Sequence, residues 1–155
     1  RPDRGIVYQG RALTRRMAGD AEGAIEDLGR MAQLDPEWFL QAQQWIGEIR
    51  MLRDGPGDRE AAAQALAAAR ARAANPFEVA MVGVSLGEVP PDRALAEAKT
   101  DRLTCVAHYY IGSRLLVEGL PEAAMVHFER CLAGGAHDLP ETDLARWHLR
   151  RQGNP

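Results

Sequence analysis

Three stretches of this chain repeat one interval of residues, and that interval restricts the fold more than any single motif does. Gly19, Gly57 and Gly119 are each followed five residues later by an alanine (Ala24, Ala62, Ala124), and four residues after that by a bulky apolar side chain (Leu28, Leu66, Phe128). Upstream of each glycine lies one more small residue, Ala12, Gly47 or Gly112. Two helices joined by a tight turn approach closely only where neither presents a large side chain; the bulky residue then fills the gap to the next helix. The spacing predicts a helix hairpin, used three times.

The rest of the chain agrees with helices. Apolar residues recur at intervals of three and four, helix formers dominate, and "VAMVGVSL" (79–86) is the one cluster with a strand-like content of β-branched residues. The fold class is therefore all-α. Glycine, proline and aspartate collect at 18–20, 34–38, 53–58, 74–76, 87–92, 118–122 and 134–141, where they end one helix and start the next. We expect one domain over 1–155, with units at about 5–38 and 40–75, an irregular pair at 76–100, a unit at 103–135 and a closing helix at 140–151. Gly47 to Ala62 is three residues longer than Gly112 to Ala124, so "RDGPGD" predicts an enlarged turn. Pro91 and Asp92 suit a helical first turn, where a missing N–H is harmless and a carboxylate faces the positive end of the helix.

These residues resemble the tetratricopeptide-repeat family, whose unit of about 34 residues carries W-x2-L-G-x2-Y, then A-x3-F, then P. Tyr8, Ala12, Ala24, Leu28 and Pro36 fall at the family's positions in the first unit, and Ile111, Gly112, Ala124 and Phe128 in the third. From residue 76 to residue 149 the order of features is also similar to the tetratricopeptide-repeat lipoproteins of the Gram-negative envelope, of the type named new lipoprotein I. The resemblance implies a right-handed superhelical array of antiparallel hairpins, an α-solenoid, whose first helices line a concave groove for an extended peptide or a partner helix. The family's groove positions fall on Ile6, Gln9, Leu13, Arg16 and Met17, then Gln41, Gln44, Glu48, Met51 and Leu52, then Val106, Tyr109, Ser113, Leu116 and Val117. The apolar members suit packing. The binding residues carried over are Gln9, Leu13, Arg16, Gln41, Gln44, Glu48, Tyr109 and Ser113. Repeats that clamp the acidic C-terminus of chaperones present Lys and Asn where this chain has Gln9, Leu13, Gln44 and Glu48, so that mode of docking is not expected.

Composition narrows the partners. A chain of 155 residues with 46% hydrophobic and 26% charged residues is ordinary for a globular unit and can hide roughly 70% of its unfolded surface. Its net charge of −3 and pI near 5.8 argue against nucleic acid, which calls for a basic face. Lys99 is the only lysine; the arginine and alanine content fits a GC-rich genome. No window reaches the ~20 apolar residues of a membrane span, and the N-terminal residues lack the pattern of a signal peptide. The chain begins at Arg1, which reads as a fragment or a processed form.

Chemistry is sparse. Cys105-x2-His108 and His127-x3-Cys131 put each pair on one helix face, and an antiparallel hairpin would bring all four together. Tetrahedral zinc and a Cys105–Cys131 disulfide are both open, but two separate buried thiols are the reading preferred. No metal and no cofactor is expected. No third orienting group or oxyanion turn accompanies the cysteines, and no strand precedes a glycine-rich phosphate loop, so an enzyme is not expected. Trp38, Trp45 and Trp147 suit hairpin packing. Two readings follow. One is an adaptor that binds a protein or peptide, with a homodimer in the envelope as the form the narrower resemblance implies. The other is a regulatory or structural segment of a larger multidomain protein. The compartment, envelope or cytoplasm, stays open.

Overall fold

The computed structural model describes residues 4–153. They form nine α-helices and one 3-10 turn, with no strand among the described residues. The contacts divide the chain into two compact units that divide between Ala74 and Asn75.

In the first unit α1 (Arg4–Met17) folds back on α2 (Ala21–Leu34), the 3-10 turn Pro36–Trp38 follows, and α3 (Phe39–Arg53) folds back on α4 (Asp58–Arg72). Helix α2 also packs on α3. Asp20 caps α2 by accepting from the Gly23 N–H at 2.9 Å. The second unit holds α5 (Pro76–Leu86), α6 (Pro91–Glu97), α7 (Asp101–Val117), α8 (Pro121–Ala133) and α9 (Pro140–Gly153). Helix α7 is central there: α5, α6, α8 and α9 all pack against it. Asn75 and Thr100 cap α5 and α7 through their side chains, and prolines open α5, α6 and α8 where no backbone donor is needed.

The repeated interval is the packing unit. Ala24, Ala62 and Ala124 have no exposed surface, and Leu28, Leu66 and Phe128 are as deeply buried. A Cβ on Gly47 would lie 2.8 Å from Leu66 Cγ, and one on Gly112 would lie 2.7 Å from Phe128 Cε1. The small residue of one helix is thus the seat of the bulky residue on its partner. Gly19, Gly57 and Gly119 all take positive φ, the conformation that turns the chain between the two helices.

The long second hairpin does not concentrate its extra residues in one turn. Relative to the third hairpin, α3 runs one residue further past its glycine, the turn 54–57 has one residue more, and α4 begins one residue earlier before its alanine. Asp58 at the head of α4 organises that turn: it is buried and accepts from the Gly55 N–H at 2.9 Å, from Arg50 at 3.1 Å and from Arg53 at 2.6 Å. The cluster "VAMVGVSL" is helical. It forms most of α5, with Met81, Val82 and Val84 in the core of the second unit and Gly83 making room for Val89.

Candidate functional site

Helices α1 and α3 are linked side chain to side chain along one face of the first unit. Gln9 Nε2 donates to Gln41 Oε1 at 2.8 Å. Arg16 reaches Glu48 with both terminal nitrogens, at 2.6 Å and 3.3 Å. Both links span 32 residues, so the two helices run in the same direction at a constant register. On α3, residues 41, 44 and 48 share one face, and Gln44 therefore sits between the two links. Its side chain is only 2% exposed, and its Nε2 has no hydrogen-bond partner. Gln9, Leu13 and Gln41 are half-buried beside it.

This arrangement buries three of the carried-over binding positions on the α1–α3 face. Arg16 and Glu48 are 6% and 7% exposed, because each is the other's counter-ion, and Gln44 lies below the surface with them. In the second unit Tyr109 is fully buried, with its ring against Tyr110 and Phe128 at centroid distances of 5.4 and 6.0 Å, and Ser113 is 3% exposed. Tyr109 belongs to the hairpin interior, where it meets Phe128 of α8. Six of the eight positions therefore come together on the α1–α3 face, and Tyr109 and Ser113 lie buried in the second unit.

The cysteines and histidines of α7 and α8 form two rungs across one hairpin. In place of two separate thiols, Cys105 and Cys131 are joined as a disulfide at a point where their Cα atoms are 4.1 Å apart. The close crossing of the helices explains the pairing: side chains of this size at that separation meet directly. On the adjacent rung His108 Nδ1 and His127 Nδ1 are 2.9 Å apart, with ring planes inclined at 49°. Burial, then the neighbouring His127 and Arg130, lowers the His108 pKa to about 4; burial and then Arg130 lower that of His127. Since each sulfur is bonded to the other, the four side chains do not gather as a tetrahedral set, and among the described residues no three Cys, His, Asp or Glu side chains do so.

A groove of about 360 Å³ between α5, α6 and α7 was not foreseen from sequence. Val84, Val89, Pro90, Ile111 and Leu115 line it, and Arg114 lies across its rim, donating to Glu118 at 2.7 Å and packing on Gly87, whose φ is +76°. Of the tryptophans, Trp45 is in the core, Trp38 lies against Gly5, and Trp147 carries the Arg151 guanidinium 4.7 Å from its ring centroid. No described helix is long and apolar enough to cross a membrane. Comparison with known proteins found no matching family model, no matching curated protein and no matching solved structure.

Proposed function

We propose that this chain is a non-enzymatic adaptor of the tetratricopeptide-repeat kind, whose hairpins stack in a right-handed superhelix and which holds an extended peptide or a partner helix along the face shared by α1 and α3. The observation that carries the reading is the buried Gln44 amide. An N–H group shut away from water without an acceptor costs about 1–3 kcal/mol, and this one lies between two polar links on a face edged by half-exposed Gln9, Leu13 and Gln41. A bound segment that displaces the half-buried side chains of Gln9, Leu13 and Gln41 would bring a backbone carbonyl to this amide as the missing acceptor. Binding then recovers a cost already present in the free protein.

The Cys105–Cys131 bond bears on the compartment. Disulfides persist where thiols are not kept reduced, so it supports an envelope or other oxidising location over the cytoplasm.

Gln44→Met tests the reading because it separates binding from stability. Replacing a buried unpartnered donor by an apolar side chain of similar length is neutral or stabilising for the fold, so the melting temperature should hold or rise. Affinity for a partner captured by the wild-type protein from native lysate should fall by about tenfold, the equivalent of one 1.4 kcal/mol hydrogen bond. Equal affinity of wild type and Gln44→Met for that partner removes this face as the binding site.

A further inference from the structure

The two rungs of the α7–α8 hairpin are outside the proposed binding face, and the histidine rung has a geometry of its own. Residues 105 and 108 on α7, and 127 and 131 on α8, share the faces that meet in this antiparallel hairpin. The disulfide occupies one rung and withdraws both sulfurs from metal chemistry. What remains beside it is a pair of imidazoles whose Nδ1 atoms face one another across 2.9 Å.

That distance is the length of a single N–H···N hydrogen bond, which requires one ring to carry hydrogen on Nδ1 and the other to carry it on Nε2. It is also the distance between two neighbouring ligands on a metal. With metal–nitrogen bonds of about 2.0–2.1 Å, ligands at right angles are about 2.9 Å apart, whereas tetrahedral ligands are about 3.3 Å apart. Right-angled nitrogen and oxygen sites suit Cu(II) and Ni(II), and Cu(II) binds such donors most strongly among the divalent ions of its row.

We propose that His108 and His127 form a two-imidazole chelate for a divalent transition-metal ion of tetragonal preference, Cu(II) first, with water in the remaining positions. The change on binding is small: the ring that carries hydrogen on Nδ1 moves it to Nε2, both Nδ1 lone pairs turn to the metal, and no net proton is released. Neutral imidazoles are the ligand form. His127 is half-buried, and His108 is 8% exposed within the hairpin. Arg130 is the neighbouring charge that opposes a cation here.

The test is titration of the oxidised chain with glycine-buffered Cu(II), read by electron paramagnetic resonance and by calorimetry. Wild type should take up one Cu(II) whose spectrum shows nitrogen splitting from two imidazoles. His127→Ala, at a half-exposed site, should bind at least tenfold more weakly and lose the two-nitrogen pattern, while His137→Ala should match wild type. Cu(II) should raise the melting temperature of wild type and leave that of His127→Ala unchanged, because a ligand confined to the folded state stabilises it. Equal affinity of wild type and His127→Ala, or a wild-type spectrum without two imidazole nitrogens, overturns the assignment.

Discussion

Asp58 does at the level of one residue what a longer loop would do with several. It is buried at the start of α4, where the positive end of the helix already favours a carboxylate, and it gathers Arg50, Arg53 and the Gly55 amide around the turn. Arg53 first, and then the Gly55 N–H, hold its pKa well below the usual carboxylate range. A depressed folded-state pKa means that the carboxylate contributes stability above its unfolded value of about 3.9, and that this contribution is lost as the pH falls below it towards the folded value. Wild type should therefore lose melting temperature steeply between about pH 4 and pH 2. Asp58→Asn should start lower at pH 7 and show a shallower acid slope, measured by circular-dichroism melts across that range. Parallel slopes would show that Asp58 is not the titrating group. In the preceding hairpin Asp27 is buried on α2 and accepts from Arg11 at 2.8 Å, with Arg15 at 3.2 Å.

The hairpin is the element at which sequence and structure agree best, and the reason is that its contacts are short in range. Gly112 must face Phe128 once a three-residue turn joins α7 to α8, so the small and bulky partners can be read from spacing alone. Gly112→Ala should accordingly cost about 1–3 kcal/mol by overpacking. Gly112→Ala with Phe128→Leu should cost less than the sum of the two single changes, because the smaller side chain makes room for the new methyl. Additive losses in urea unfolding would mean that the two positions are not in contact. Longer-range facts were less legible. Arg16, Gln44 and Glu48 lie on polar helix faces, which are ordinarily exposed; what buries them is a second helix of the same direction 32 residues away, whose side chains are complementary. The signal was present in the opposite charges of Arg16 and Glu48, but it acquires meaning only once the register of α1 against α3 is known. The cysteine pairing depended on the same kind of quantity, a distance of 4.1 Å between the Cys105 and Cys131 Cα atoms that no spacing encodes.

At the scale of the whole molecule the chain resolves into two compact units, and its one disulfide among the described residues lies entirely within the second. Units with separate cores open separately, with protection from hydrogen exchange reporting each one's own stability. The Cys105–Cys131 bond joins positions 26 residues apart, and the chain-entropy model gives closure of such a loop about 3.5 kcal/mol of stabilisation. Reduction with a phosphine should therefore fall on one half of the chain. Amides of α7 and α8 should exchange faster by a factor of up to several hundred, since each 1.4 kcal/mol is tenfold. Those of α2 and α3 in the first unit should keep their protection, because no covalent constraint acts there. Peptide-resolved hydrogen exchange, with and without reductant, reads both halves in one experiment. Equal loss of protection in both would mean that the two units unfold as one cooperative block; unchanged protection in α7 and α8 would mean that the hairpin is held by the seating of Phe128 on Gly112 alone, with the sulfur bond contributing nothing measurable.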